Sequence, residues 1–576
     1  MPVPLFSLPG WGRSSALTAS LLLSACVMSG QVTVVPSTPQ VGSSNPATAA
    51  PNVPRPHTRP CVVTLFQNLA FDNFTPATFD YTPPASCPGP WAKVVFTADF
   101  TVTEGRQFDR TAAFYLGHAN IYYGTTAEPR AALSPSWHVE RDVTDLSAIF
   151  KSTQTGEANI GNFVGVSGGV TYNGIIYANA ALEFYPADFR DRAPRTPEIV
   201  VPVNGTGGDA GTLNTTTDQI TQTLNLPKNV ESAYLDVIAQ NQSGDEFWYF
   251  CVPNDQTSNL ESCGGTAFRE TEIWLDGKPA GVAPAYPWIF TGGIDPYLWE
   301  PVTDVQTLEF VPYRVDLTPF AGVLSDGGTH TVAVSVFNAN SYFLATANLL
   351  VFTDHGRGTV TGGVISNTLA DAPVPVVTEN ITTGTGPTYT GTIDTSSSRE
   401  FTIRGWVNTS HGRVETTVTQ QVGFTNNQQF DVSGTTDVQN VAQLTTVDSS
   451  SVTKEGWLET KKEQHFRYPL TINFSFVVNS DNSEDQTTTV KQGFDTQERT
   501  SLNGWPLYDS KVHEETNATD TLPFDASGNF LGPMGSKTSQ TYTWRNSLGT
   551  CYSRTIKAAA QVLTAVDDDG DCHERR

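Results

Sequence analysis

"EGRQFDRTAAFYLGHANIYYGTTAEP", residues 104–129, decides how the chain reads. Ala113-Phe114-Tyr115-Leu116 and Ile121-Tyr122-Tyr123 flank Gly117-His118-Ala119-Asn120, which predicts two strands joined by a turn. Aromatic and apolar runs of this length, closed by a Gly-containing turn, are strand-like rather than helical. Asp109-Arg110 places an acid beside a base at the entry to the first strand. Such a pair is either a solvated strand end or the working end of a site.

The same pattern recurs outward in both directions. "LEFYPADF", "AYLDVIAQN", "ETEIWL" and "HTVAVSVFN" are short alternating runs separated by Gly, Pro, Asn and Asp. No long segment keeps a helical apolar period. The chain is therefore expected to be all-β, with antiparallel sandwiches or barrels. At 576 residues it is long enough for about three or four domains.

Only 16% of residues are charged, and the formal net charge is −25. Nucleic-acid binding needs basic surface that releases counterions, so that partner class is excluded. Few lysines and many neutral polar side chains suit an acidic medium, where falling pH relieves self-repulsion. Acid operation is one expectation; the ordinary acidity of secreted β proteins is the other account of the composition.

The N-terminus reads as an export signal over residues 1–26. Arg13 precedes the apolar stretch Ala16–Leu23, which is too short to span a bilayer. Leu23-Ser24-Ala25-Cys26 has the form of a bacterial lipoprotein cleavage box, with Cys26 as the lipidated residue; a plain signal peptide cleaved nearby is the alternative. Export to the cell envelope or medium follows in either case. Residues 27–60, rich in Pro, Ser, Thr and Asn, are expected to be a tether.

Six further cysteines remain: Cys61, Cys87, Cys251, Cys263, Cys551 and Cys572. An even number in an exported chain points to disulfides, and proximity favours Cys61–Cys87, Cys251–Cys263 and Cys551–Cys572 among the possible pairings. There is no Cys-x-x-Cys, His-Glu-x-x-His or Gly-x-x-x-x-Gly-Lys, so no metal or cofactor is expected.

An internal repeat organises the middle of the chain. "FDRTAAFYLG" at 108, "WHVERDVTDLSAIF" at 137 and "YANAALEFYP" at 177 are followed in the same order by "FRETEIWLDG" at 268, "VPYRVDLTPFAGVL" at 311 and "LATANLLVFTD" at 344. This predicts two related β-sandwich domains, 61–200 and 201–355, joined by a Pro- and Gly-rich linker. Residues 356–576 carry longer Thr-rich alternating runs, such as "EFTIRGWVNTS" and "YPLTINFSFVVNS", and predict a C-terminal β-rich domain. "VDDDGDC" near the end reads as an acidic tail, because it lacks the spaced Glu of a calcium loop.

Carboxylates, arginines and aromatics are what remain for chemistry, and that inventory suits sugars: rings stack on pyranose faces, and carboxylates do acid–base work. Aligning "FDRT" with "FRET" pairs Asp109-Arg110 with Arg269-Glu270. If the sandwiches lie side by side, the two acid–base pairs are expected to meet in a cleft between them; the competing reading is two surface ion pairs of little consequence. "SGDEFWYFCVPND", 243–255, sets Asp245 and Glu246 before Trp248. "YPWIFTGGIDPYLWEPV", 286–302, supplies Trp288 and Trp299. Asp245 and the three tryptophans are candidate sugar contacts, though core packing accounts equally for the aromatics.

About 300 residues resemble the peptide-N-glycanase A family. The motifs, in order, are "PCVVTLFQNLAFDNFTPATFDYTPP", "WAKVVFTADFTVTEGRQFDR", "YLGHANIYYGTTAEP", "WHVERDVT", "DEFWYF", "TAFRETEIWLDG", "PWIFTGGIDPYLWEPV" and "YRVDLTPFAGVL". The lipobox and spacer point to a bacterial member, similar to the acid-active bacterial glycanases. A more distant resemblance is to peptide-N-glycosidase F, which implies two jelly-roll-like domains. Phe108-Asp109-Arg110 matches its Trp-Asp-Arg motif, which implies that Asp109 is catalytic. Its second-domain glutamate falls on Cys263-Gly264-Gly265 and its other first-domain glutamate on Asn162–Val164, where this chain has no acid. Glu246 or Glu270 is the candidate replacement.

The resemblance implies hydrolysis of the amide between GlcNAc and an asparagine of an N-glycopeptide or N-glycoprotein; a monomer is expected. In that scheme Asp109 handles the attacking water or the leaving glycosylamine. Arg110 and Arg269 stabilise the oxyanion, and Glu246 or Glu270 binds the first sugar. A non-catalytic glycan-binding surface lipoprotein and a glycosidase cutting between sugars are the alternatives.

Overall fold

The computed structural model describes residues 39–568, Pro129 excepted. The signal segment with Cys26, and Cys572 with the end of the acidic tail, lie outside the described residues.

The first sandwich has eight main strands. Strands Cys61–Phe71, Ile176–Pro186, Trp91–Val102 and Ser136–Asp142 form one sheet in that order; Ala77–Tyr81, Gln154–Ile160, Thr111–Leu116 and Ala119–Thr125 form the other. Counted along the chain, the orders are 1-8-3-6 and 2-7-4-5, the jelly-roll arrangement. A small exposed hairpin, Gly165–Ser167 with Val170–Tyr172, is inserted before the last strand. The core is aromatic: Phe96 stacks on Tyr122, and Phe100 on Trp137.

The second sandwich repeats this topology. Ile199–Val203, Tyr342–Thr353, Val230–Gln242 and Tyr313–Asp316 form one sheet, to which Gly211–Leu213 adds a short strand; Ile220–Leu224, His330–Phe337, Glu270–Leu275 and Lys278–Pro284 form the other. Setting Gly211–Leu213 aside, the orders are again 1-8-3-6 and 2-7-4-5. The fourth strand begins at Thr111 in one copy and at Glu270 in the other, so the sequence repeat corresponds to equivalent strands.

The quoted hairpin turns more tightly than its sequence suggests. Leu116 pairs with Ala119, leaving only Gly117 and His118 in the turn, with φ of 54° and 66°. Two left-handed residues in sequence suit the twist of a two-residue hairpin. Every residue of Ala119–Thr125 is buried, because this edge strand of the first sandwich lies against the second. Tyr123 stacks on Phe310 and donates to Gln240, Asn120 exchanges hydrogen bonds with Asn348, and Thr125 N–H donates to Thr307 O.

The C-terminal third is one antiparallel sheet of eleven strands, from Thr361–Asn367 to Val562–Asp568, with several strands about 20 residues long. From Tyr389–Thr409 onward its successive strands pair as a meander, and Thr361–Asn367 and Val376–Thr383 both pair with Tyr389–Thr409. Their alternating burial, as in Gly412–Ser433, marks one covered face and one open face. The covered face shares a single apolar core with the second sandwich: Phe401, Ile403, Phe424, Leu470 and Ile472 join Trp248, Phe268, Ile273 and Val282.

Part of the expected tether is seated on the body. Arg55 makes a two-pronged pair with Glu140 at 2.7 Å and also reaches Glu183; Ala49 N–H donates to Gln540, and Ala47 bonds the backbone at Pro301. Residues 47–55 therefore bridge the first sandwich and the C-terminal sheet, because Arg55 and the backbone of the small residues find partners there. This corrects the reading of that stretch as a free spacer.

Candidate active site

The quoted hairpin ends where the two sandwiches meet. Its register, Thr111 with Thr125, carries the flanking segments toward each other. Arg110 and Thr126 exchange backbone hydrogen bonds, with Arg110 N–H donating to Thr126 Oγ1 and Thr126 N–H to Arg110 O. Asp109 and Glu128 are therefore neighbours, and the Asp109 backbone N–H faces the Glu128 carboxyl.

The second sandwich closes the site with two loops. In 286–293, Thr291 Oγ1 donates to Thr126 O and accepts from Glu128 N–H, and Gly292 N–H donates to Asp109 Oδ2 at 2.8 Å. In 243–251, Glu246 comes close enough to Asp109 for their charges to interact. The loop is pinned by Asp245, which accepts two hydrogen bonds from Arg269 and two from the backbone N–H groups of Asn340 and Ser341.

Glu128 from the first sandwich and Glu246 from the second thus both approach Asp109, and the Arg110 guanidinium acts on Asp109 and Glu128. Burial is the largest effect on each acid and raises it. Glu128 is pushed to about 7 and Glu246 to about 7, each further raised by the Asp109 charge. Asp109 is raised by burial and pulled back by the Gly292 N–H and Arg110. Arg110 is lowered by burial against the attraction of Asp109 and Glu128. One Nη of Arg110 donates to Gln107, which is fixed on Gly174 O, while its Nε has no partner. Phe108, Tyr172 and Phe163 form a chain of ring contacts at the mouth, with Arg106 over Tyr172 and Arg110 over Phe108.

The geometry separates the sequence candidates. Asp109, Arg110 and Glu246 come together. Asp245 and Arg269 form a fully buried ion pair and cannot meet a sugar or an oxyanion. Glu270 is paired with Arg399 of the C-terminal sheet, with Glu272 beside it. The second copy's strand mouth is covered by that sheet, which is why the repeat does not bring a second acid–base pair to Asp109. Trp248 is buried against Phe424, Trp288 stacks on Phe310 at 4.3 Å, and Trp299 is buried with its Nε1–H donating to Gly293 O. All three are core, not sugar platforms, since their faces are occupied by protein. Asn162 is buried and donates to Phe71 O and Gly174 O, which leaves it structural.

Glu128 and Gly292 were missed. Hairpin pairing outward from Gly117-His118 would have brought Glu128 to Asp109. Gly292 carried no signal beyond its Gly-Gly turn. The disulfides Cys61–Cys87 and Cys251–Cys263 are present; Cys551 opens strand Cys551–Ala559, and its expected partner lies outside the described residues. Among the described residues no cluster could hold a metal ion.

A Cβ at Gly292 would lie 2.2 Å from Glu128 Oε2 and 3.1 Å from Asp109 Oδ1. Gly292→Ala is expected to push the Glu128 carboxyl aside at little cost in folding, because only the end of a flexible side chain must move. Activity should fall about 10–100-fold, as for other small misplacements of reacting groups. A thermal melt beside a rate measurement checks both halves.

Two family descriptions match the chain: "Peptide N-acetyl-beta-D-glucosaminyl asparaginase amidase A" over residues 50–370 and "PNGase_A C-terminal domain" over 392–470. Peptide-N4-(N-acetyl-beta-glucosaminyl)asparagine amidase A of Prunus dulcis is 28% identical over 460 residues, covering 76% of this chain and 78% of that protein. Among solved structures, PNGF-II aligns with a TM-score of 0.36 and 14% identity over 52% of this chain and 66% of that one. PNGase F of Flavobacterium meningosepticum aligns with a TM-score of 0.33 and 13% identity over 51% and 96%. With the first family description spanning both sandwiches and the second the start of the long sheet, the chain belongs to the peptide-N-acetyl-β-D-glucosaminyl asparaginase amidase A family.

Proposed function

We propose that the chain hydrolyses the amide joining GlcNAc to an asparagine side chain, giving an aspartyl peptide and a glycosylamine that then loses ammonia in water. The observation that carries this is the meeting of Glu128 and Glu246 with Asp109, itself beside Arg110, where the two sandwiches join.

The electrostatics support a division of labour. Asp109 has the Gly292 N–H and the Arg110 charge to support its ionised form, which suits it to orient and deprotonate the attacking water. Glu128 keeps its proton up to about 7 and gives it to the departing glycosylamine nitrogen. The half-buried guanidinium of Arg110, beside Asp109, stabilises the oxygen of the tetrahedral intermediate. Glu246, opposite on the second sandwich, holds the first sugar. As the C–N bond breaks, its electron pair takes the Glu128 proton, and the water proton stays on Asp109. The exposed ring of Phe108 and the half-buried ring of Tyr172 offer a stacking surface to the glycan.

A protonated Glu128 makes the reaction favour acid over base. Above about 7 the proton is lost and the rate should fall; this supports acid-to-neutral operation. The export segment ending at Cys26 supports action outside the cytoplasm on N-glycoproteins, from an envelope lipid anchor.

Glu128→Gln is expected to lower kcat about 10²-fold or more, as for loss of a general acid, and to remove its part of the alkaline limb. The reading itself is tested by mass spectrometry of one digested glycopeptide. Loss of the whole glycan with Asp in place of the glycosylated Asn supports it; a GlcNAc left on Asn would show a glycosidase, and an unchanged glycopeptide a binding protein.

A further inference from the structure

Asp295 and Asp520 lie far apart in sequence and meet where the C-terminal sheet covers the 286–301 loop. Asp295 has no exposed surface, and Asp520, in strand Trp505–Phe524, is 2% exposed. Asp295 Oδ1 accepts from Tyr297 N–H. Its Oδ2 and both oxygens of Asp520 receive no N–H or O–H from any neighbour. The two carboxyls lie within side-chain hydrogen-bonding reach of each other. Two carboxylates cannot bond in this way, so one of them carries a proton that both share.

The surroundings leave the pair to itself. Arg130 is the cation nearest Asp295, and it is committed to Glu300 at 2.8 Å and stacked 3.7 Å from the Tyr297 ring. Glu300 adds a further negative charge. From the sheet, Thr488 stands opposite Asp520 in register, and the hydroxyls of Ser536 and Thr538 donate to Tyr297 O and Leu298 O. Asp295 is the only charged group that acts appreciably on Asp520 among the described residues.

What the pair holds is the turn at the active site. Asp295 N–H donates to Gly293 O at 2.7 Å, Trp299 Nε1–H donates to the same oxygen, and Gly293 N–H closes the turn on Phe290 O. The adjacent Gly292 N–H is the one that meets Asp109. Release of Asp295 would free the turn on its outer side.

We propose that Asp520 is a positioning residue for the amidase reaction: a proton shared between Asp295 and Asp520 clamps the C-terminal sheet to the turn that presents the Gly292 amide to Asp109, and loss of that proton loosens the turn. This rests on the amidase reading of the same site. Burial raises both acids, Asp520 to about 8, so the clamp persists through neutral pH. A folded-state pKa above the unfolded value gives stability that is complete below the ordinary aspartate range and is lost as pH rises through about 8.

Asp520→Asn tests this, because an amide donates a hydrogen bond that does not titrate. The thermal midpoint and kcat/KM for a glycopeptide are measured for wild type and variant from acid to alkaline pH. Glu128 and Glu246 titrate in both proteins, so their limb cancels in the ratio. The variant-to-wild-type ratio should be near unity in acid and rise about 3–10-fold at alkaline pH, with a parallel relative gain in thermal midpoint. A ratio that is flat with pH overturns the proposal. Asp295→Asn is the reciprocal variant and should reproduce the same trend if Asp520→Asn does not fold; a flat ratio there overturns the proposal equally. If the protein does not cleave glycopeptides at all, the amidase reading fails, while the pH dependence of the thermal midpoint still decides for or against the clamp.

Discussion

Asp109→Asn should abolish glycan release, lowering kcat/KM by about 10³-fold or more, at the upper end of what loss of a positioned acid–base group removes. The fold should survive. Burial disfavours the Asp109 charge, so a neutral amide relieves an unfavourable term, and Asn can still accept from Gly292 N–H. The thermal midpoint is therefore expected to be equal to or above that of the wild type. Activity lost with stability kept or gained is the mark of a group held for chemistry. A variant with near-normal turnover would remove Asp109 from the mechanism, and one that melts early would make it structural.

The second large effect concerns the C-terminal sheet. A chain ending after residue 355 keeps both sandwiches and should nevertheless fail to fold as a soluble monomer. Phe424, 5.1 Å from Phe268 and 6.1 Å from Trp248 in ring centroids, would be gone, as would Phe401, Ile403, Leu470 and Ile472 from the shared core. At about 1.5–3 kcal/mol for each buried apolar side chain, the loss approaches the whole stability of a typical domain, about 5–15 kcal/mol. Glu270 would also lose Arg399, leaving an acid without its cation. Size exclusion and circular dichroism of the truncated chain give the answer; a monomer that melts cooperatively would contradict it.

Strand periodicity and the repeat were legible because they are local. Alternation set the strands, and "FDRT" and "FRET" mark the same strand in two copies of one jelly roll. What covers a strand end is not local. Arg269 and Glu270 looked like the counterpart of Asp109 and Arg110, yet one turns inward to Asp245 and the other meets Arg399 from over a hundred residues downstream. The tryptophans misled for a related reason: an aromatic ring suits a sugar or a core equally, and only the neighbouring Phe310 and Phe424 decide between them. Glu128 was within reach of the sequence, since it stands in the same short stretch as Asp109. Glu246 was named from the sequence, but its proximity to Asp109 depends on how the sandwiches dock.

The C-terminal sheet holds the loops of the second sandwich in a particular way. Asn426, Gln428 and Gln439 donate to the carbonyl oxygens of Tyr249, Cys251 and Phe250 in the loop that carries Glu246. Gln492 donates to Pro287 O and Thr538 to Leu298 O, on either side of Gly292. Every one of these contacts grips main chain, which any residue type presents. Exchange of side chains along the two loops, Asp245 and Asp295 apart, therefore leaves these anchor points in place. The architecture leaves the loop side chains open to drift while the main chain that carries Glu246 and Gly292 stays fixed.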